Sequence, residues 1–341
     1  MKRALPFLTL VLVLVALGSC DRSGTEDAGR KIKIGVSIPA ADHGWTAGVG
    51  YWAKESMAAY PDVEWVYATA ANPEKQIADI EDMMAQKVDG LVVLATESAP
   101  LTPVAKRAHE RGIYVVNVDR GFLEPVADVF LEGDNKAFGA RSARFIVERL
   151  GGKGRVAVLR GIPCTVDTDR YESAKKVFDE NPGIEVLAAQ PGLWNRQKSL
   201  EVMQSYLAQF DRIDAVWAAD DDMALGAEQA IREAGRAAEM WLVGGGGMKT
   251  VVEKIANRDP LYPATITYPP AMIAAGVHLA VAKLRDGNLE SAAERMPAHL
   301  HLSVDAIRGD GAGGSPRHVL LDVQLVTPEN ASEFFFPDSV Y

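Results

Sequence analysis

Between Lys31 and about Leu284 the sequence alternates between short β-branched runs and longer segments of helical character. "KIKIGVSIP", "VEWVYATA", "GLVVLAT" and "YVVNVD" read as strands, with helical segments between them. One of these, "PEKQIADIEDMMAQK", opens on Pro and places Ile77, Ile80 and Met84 on one face; another helix is expected around 101–111. "GLVVLAT" has no polar alternation, as a strand covered on both faces requires. The rhythm then restarts, with a helix at "AFGARSARFIVERL", the strand "RVAVLRG", a helix near 168–180, the strand "EVLAAQ" and a helix near 196–209. The strand "AVWAAD", the helix "DDMALGAEQAIREAG", the strands "MWLVG" and "ATITY" and the long helix "AMIAAGVHLAVAKLRDG" follow. Beyond residue 287 the pattern is less regular, with a surface loop at "RGDGAGGSPR" and a last strand at "HVLLDVQLV". Such alternation demands parallel strands with helices on both faces. The strands are too many for one sheet, so the expected fold is α/β with two doubly wound parallel-sheet lobes. A chain of 341 residues, 48% hydrophobic, can bury such cores without disulfides or metals.

The first twenty residues follow a different logic. "MKR" is basic, "ALPFLTLVLVLVALG" is apolar but short for a membrane span, and small residues precede Cys20. This layout is that of an export signal, and Leu17, Gly18, Ser19 and Cys20 resemble the lipobox of bacterial lipoproteins. The resemblance implies lipidation at Cys20, with Asp21 in the place of an inner-membrane retention signal. The alternative is an ordinary cleaved signal beside an incidental cysteine. Residues 20–31 read as a tether. With Cys20 lipidated, Cys164 has no disulfide partner, and it is expected as a small residue in the core or lining a pocket. A net charge of −10 argues against a nucleic-acid surface, which needs clustered Lys and Arg.

Several stretches invite chemistry and fail the spacing it needs. "WLVGGGGMKT" combines glycine, lysine and threonine after a strand, but Met248 separates Gly247 from Lys249 and Leu242 stands where the first glycine of a phosphate loop belongs. The loop is still expected to face a ligand, since it follows a strand. Asp220, Asp221 and Asp222 lack the alternate spacing of a calcium loop and suit the N-terminus of a helix, with Asp220 placed to reach a pocket. His299 and His301 share a strand face without an evident third metal ligand. No metal site is therefore expected, and no motif of a hydrolase or zinc enzyme is present. "SIPAADHGWT" differs: Ser37, Asp42, His43 and Trp45 gather polar groups and an aromatic plane at a strand end. Sugar hydroxyls need donors and acceptors, and the apolar face of a sugar ring needs an aromatic to lie on. "VDRGF" repeats the arrangement with Asp119 and Arg120, the guanidinium making a buried carboxylate tolerable.

With these motifs the chain resembles the ribose-binding-protein type of bacterial periplasmic sugar-binding proteins, the substrate-binding components of ABC transporters. The resemblance runs from about Lys31 to Leu284. It rests on "KIKIGVSIPAADHGW", "VVNVDRGF", "EGDNKAFGARSARFI", "QPGLWNRQKSLEVMQSYL" and "DAVWAADDDMALGAEQAIREAG", with "LVGGGG" in the place of a "VGFDG"-like stretch. It implies ligand positions at Ser37, His43, Trp45, Asp119, Arg120, Arg170 and Trp194. Asp220 stands where ribose binders have Asn, Tyr268 where they have Gln, and Gly245 and Gly246 where they have an aromatic and an Asp. These departures point to a sugar or polyol other than ribose, and the paired glycines to a pocket with extra room.

The resemblance further implies a three-segment hinge, with crossings near Asp134–Asn135, near Tyr268–Pro269 and around 322–327. Residues 32–134 and 269–324 would form lobe 1, and 135–268 and 325–341 lobe 2. The expected function is capture of a monosaccharide or sugar alcohol between the lobes and delivery to the permease of an ABC importer. No cofactor, nucleic acid or catalysis is expected, the membrane is met only through the lipid anchor, and monomer is the usual state. Two other uses of the fold stay open at this point. One is a sensor component feeding a chemoreceptor or histidine kinase. The other is the core of a lac-repressor-like regulator, which would need a DNA-binding head where this chain has a signal.

Overall fold

The β-branched runs become strands, and the segments between them become helices that cover both sheet faces. The computed structural model describes residue 1 and residues 30–296, 300, 317–336 and 339–341. Residues 2–29, with Cys20 and Asp21, together with His299, His301 and most of "RGDGAGGSPR", lie outside the described residues. The chain builds β1 (Lys33–Pro39), α1 (Gly44–Ala58), β2 (Glu64–Ala70), α2 (Pro73–Ala85), β3 (Gly90–Val93), α3 (Ser98–Glu110), β4 (Tyr114–Val118) and β5 (Val129–Gly133). It continues with α4 (Asn135–Arg149), β6 (Gly154–Arg160), α5 (Thr165–Asp179), β7 (Ile184–Pro191), α6 (Arg196–Gln209), β8 (Ala215–Ala218), α7 (Asp221–Glu233), β9 (Trp241–Val243) and α8 (Lys249–Ala256). β10 (Thr265–Ile266), α9 (Met272–Asp286), β11 (Arg317–Leu321) and β12 (Leu325–Val326) follow.

The first sheet has the order β11-β5-β4-β3-β1-β2, and the second β7-β6-β8-β9. Every pairing in both is parallel. In the first lobe, Ile80 and Met83 of α2 and Leu101 and Val104 of α3 pack with Leu91 and Val115 on one side of the sheet. On the other side Val36, Val92 and Val116 share the larger core with Val49 of α1 and Ile273 of α9. Strand order reverses beside β1 in one sheet and beside β6 in the other. In open α/β sheets such reversals leave a crevice at the carboxyl ends of the strands. The chain passes between the sheets after β5, between β10 and α9, and between β11 and β12. β10 and β12 pair antiparallel and join the second sheet through bridges at Val243–Ala264 and Gly246–Thr267.

Three details differ from the sequence reading. α3 begins at Ser98, ahead of residue 101, because Pro100 lies in the first turn, where its missing N–H is not needed. β5 has no counterpart in the reading, since Glu132 interrupts its apolar run; that carboxylate is buried and accepts from Asn135 Nδ2 at 3.1 Å and pairs with His318 Nε2 at 3.0 Å. "HVLLDVQLV" is two strands, β11 and β12, which belong to different sheets.

Candidate functional site

The carboxyl ends of the strands converge on one small cavity. The turn after β1 brings in His43 and Trp45, and the end of β4 brings in Asp119 and Arg120. From the second lobe come Arg170 on α5, Trp194 after β7, Asp220 after β8, and Gly245 and Gly246 after β9. Tyr268 lies between β10 and α9, where the chain returns to the first lobe. Thr46 shapes the first of these turns, its hydroxyl accepting the Asp42 amide at 3.2 Å and the His43 amide at 3.3 Å. Asp119, Leu193 and Trp194 adopt left-handed backbone conformations, with φ of 66°, 58° and 52°. Non-glycine residues in this region are strained, and such strain gathers at functional sites.

A continuous polar chain floors the cavity. Tyr268 Oη donates to Asp119 Oδ1 at 2.6 Å, Asn135 Nδ2 donates to Tyr268 Oη at 3.2 Å, and Arg170 Nε donates to Asn135 Oδ1 at 2.9 Å. The Arg170 guanidinium also donates to Ala219 O at 2.7 Å and lies 3.9 Å from the centre of the Phe138 ring and 4.2 Å from that of Tyr268. Arg120 is anchored by the carbonyls of Ala95 and Thr96 at 3.1 and 2.8 Å, with its guanidinium 5.1 Å from the Trp194 ring centre. Arg120 Nε stands 3.7 Å from Asp119 Oδ2. Arg120 Nε and Trp194 Nε1 are buried with no hydrogen-bond partner among the described residues. Buried polar atoms are almost always paired, so orphaned donors around a cavity mark a place for a polar ligand.

Burial dominates the electrostatics. It raises the Asp119 carboxyl above the usual range, against the charge of Arg120 and the Tyr268 hydrogen bond. It pushes Asp220 up to about 7, with His43 pulling the other way. His43 is itself raised: burial lowers it, but the Asp42 hydrogen bond and the Asp220 charge outweigh that. Asp220 also caps α7, accepting the Met223 amide at 2.8 Å. Asp221 binds Met248 N and Thr265 Oγ1, both at 2.8 Å, and Asp222 binds Gly44 N at 2.8 Å and Arg196 Nη2 at 2.7 Å. The three acids thus face different partners, and among the described residues no side-chain cluster fit to hold a metal ion is found.

Two residues named from the sequence lie away from the cavity lining. Ser37 is fully buried in β1, where its hydroxyl accepts from Gln76 Nε2 at 3.2 Å. Asp42 is exposed and acts indirectly, holding the His43 ring through Nδ1 at 2.5 Å. The extra room expected at the paired glycines is filled from inside the protein. A Cβ on Gly245 would stand 2.0 Å from Phe138 Cζ, and one on Gly246 2.0 Å from Tyr341 Oη. Val166 and Tyr341 line the cavity without having been singled out. Val166 follows Cys164, the expected small core residue, which is buried at the N-terminus of α5. No local sequence pattern marks Tyr341.

The Periplasmic binding protein domain family matches residues 34–288. The chain belongs to that family. Among its relatives, the xylitol-binding protein of Mycolicibacterium smegmatis is 31% identical over 231 residues, 66% of this chain and 64% of that protein. The ribose import binding protein RbsB of Bacillus subtilis is 31% identical over 200 residues, 58% of this chain and 64% of that protein. The chain therefore spans just under two thirds of the length of these relatives. A solute-binding protein of Mycobacterium smegmatis with bound glycerol shares the fold with a TM-score of 0.74 at 27% identity, over 91% of this chain and 99% of that one. A solute-binding protein of Bacillus halodurans with bound myo-inositol shares it with a TM-score of 0.77 at 23% identity, over 93% of this chain and 100% of that one. In this periplasmic binding protein the cavity lies at the strand ends of both lobes, where the fold leaves its crevice.

Proposed function

We propose that this protein captures a monosaccharide or sugar alcohol between its lobes and delivers it to the permease of an ABC importer, without performing chemistry on it. The observation that carries this reading is the cavity wall itself. The carboxylates of Asp119 and Asp220, the Arg120 guanidinium and the indoles of Trp45 and Trp194 surround one space. Asp119 Oδ2 accepts a ligand hydroxyl, the neighbouring Arg120 Nε donates to the next, and an indole covers the apolar ring face. A hydrogen bond to a charged group contributes about 1.5–3 kcal/mol. A few of these with stacking, less ordering costs, reach the roughly −8 kcal/mol of micromolar affinity. The xylitol and ribose named for the relatives are the chemistry such a wall suits.

In this reading residues 32–134 with 269–324 form lobe 1, and 135–268 with 325–341 form lobe 2. Binding proceeds by hinge closure of the kind periplasmic binding proteins use. Contacts across the cleft, such as Gly121 N to Thr165 Oγ1 at 3.1 Å, belong to the closed form that docks on the permease. Cys20 carries the lipid that keeps the monomeric protein at the outer side of the cytoplasmic membrane; Cys20→Ala then releases it from the membrane fraction. The deciding experiment is calorimetry with the purified protein against pentoses, hexoses, polyols and inositols. Micromolar binding of one class supports the proposal. Binding of none, or turnover of any, overturns it.

A further inference from the structure

The family match ends at residue 288, yet the cavity wall includes Tyr341. Its side chain is buried, and its hydroxyl has no hydrogen-bond partner among the described residues. Features of both lobes receive it. Gly246 has a φ of 126° and no side chain, and a Cβ there would meet the phenol oxygen at 2.0 Å. Gly44, at the start of α1, leaves a Cβ position 3.4 Å from Tyr341 Cδ2. Lys249, of the same glycine-rich stretch, donates from Nζ to Ser339 O at 3.0 Å, and the Tyr341 amide donates to Ser339 Oγ at 3.2 Å. The lysine that failed the phosphate-loop spacing thus clasps the segment that carries the phenol.

Tyr341 also faces a second space. A groove with an empty volume of about 1310 Å³ adjoins the cavity, lined by Tyr51, Pro270 and Phe334 among others, and Tyr341 and Gly246 line both. The phenol is the partition between them. Burial, then the charges of Asp220, Asp221 and Asp222, hold its hydroxyl well above the usual phenol range, so it keeps its proton and can both donate and accept.

We propose that Tyr341 is a specificity-determining residue, whose hydroxyl bonds a ligand hydroxyl and whose ring limits the ligand to one sugar ring by closing the cavity from the groove. The inference rests on the carbohydrate reading above. Calorimetry on the wild type first identifies its tightest monosaccharide or polyol; no binding there overturns both readings together. With that ligand, Tyr341→Phe is expected to bind about 5–30-fold more weakly, with the melting temperature of the ligand-free protein unchanged or raised. Affinity within twofold of wild type overturns the hydroxyl contact while leaving the carbohydrate reading intact. Tyr341→Ala is expected to gain binding of a glycoside of the same sugar with a second ring attached, which the wild type rejects. Rejection by a Tyr341→Ala protein that still melts cooperatively overturns the partition.

Discussion

The amide of Gly44 donates to Asp222 Oδ2 at 2.8 Å, so a carboxylate on α7 in one lobe caps the first turn of α1 in the other. The opening N–H groups of a helix lack internal partners and favour a negative charge. α1 has no acidic residue in its own first turn. Arg196 Nη2 steadies the accepting carboxylate, donating to Asp222 Oδ1 at 2.7 Å. Under the proposed hinge closure the bond forms only with the lobes together, and Asp222 is outside the cavity lining. Asp222→Ala should therefore weaken ligand binding without touching the ligand. Loss of a cap costs about 0.5–2 kcal/mol, and calorimetry should show a drop in affinity of roughly 2–30-fold. X-ray scattering at saturating ligand should show full closure regained; unchanged affinity would mean the bond does not hold the closed form.

Asp119 gives the sharpest test of the polar floor. Removing a carboxylate that binds a ligand hydroxyl should cost about 1.5–3 kcal/mol, or some 10–150-fold in affinity. The same substitution leaves the buried Arg120 guanidinium and the Tyr268 hydroxyl without that carboxylate, so the ligand-free protein should melt below the wild-type temperature. Asp119→Ala is thus expected to need some 10–150-fold more ligand for the thermal shift of the wild type, each shift read against the same protein without ligand. Tyr268→Phe, which deletes the 2.6 Å bond to Asp119 Oδ1, should weaken binding less.

Asp220 predicts a pH dependence. Its carboxyl is raised from 3.8 to about 7 in the folded protein, so the folded state binds a proton that the unfolded state releases. The stability this contributes is complete below about pH 4 and is lost as pH rises through about 7. Asp220→Asn keeps the helix cap, since Asn caps as well as Asp. It should leave stability near pH 4 unchanged and add on the order of 1–3 kcal/mol above pH 7 in the absence of ligand. Urea melts at pH 4.5, 6 and 8 read the difference directly. Asp221, raised to about 6, and His43, also raised, act with the same sign, so the variant should retain part of the decline.

Gly245 should behave as a packing residue. A Cβ there stands 2.0 Å from Phe138 Cζ, and overpacking a core costs about 1–3 kcal/mol. Gly245→Ala is expected to lower stability by that amount, and Phe138→Leu in the same chain should recover part of it. A double-mutant cycle measures the coupling. Additive effects would mean that the glycine does not make room for Phe138.

The lobes were legible because the period of the hydrophobic pattern is a local property. "GLVV" is apolar throughout because β3 is covered on both faces, and "PEKQIADIEDMM" turns Ile80 and Met84 inward at helical spacing. β5 escaped notice because Glu132 breaks its apolar run and is tolerated only through Asn135 and the distant His318. At the site, polar and aromatic residues at strand ends stood out, and the structure brings His43, Trp45, Asp119, Arg120, Trp194 and Asp220 around one space. Ser37 had the same local credentials, but its hydroxyl meets Gln76, a partner 39 residues away.

The sequence by itself therefore determined the alternation of strand and helix, the two-lobed α/β class and the candidate strand ends, all of which follow from neighbours along the chain. Tertiary structure alone decided what faces the cavity. Gly245 and Gly246 read as vacancies in one dimension, and in three they are filled by Phe138 from α4 and Tyr341 from the far end of the sequence. A missing side chain leaves a volume whose occupant is set by the packing of segments about 100 residues away in either direction, and close-packed interiors do not leave such volumes empty.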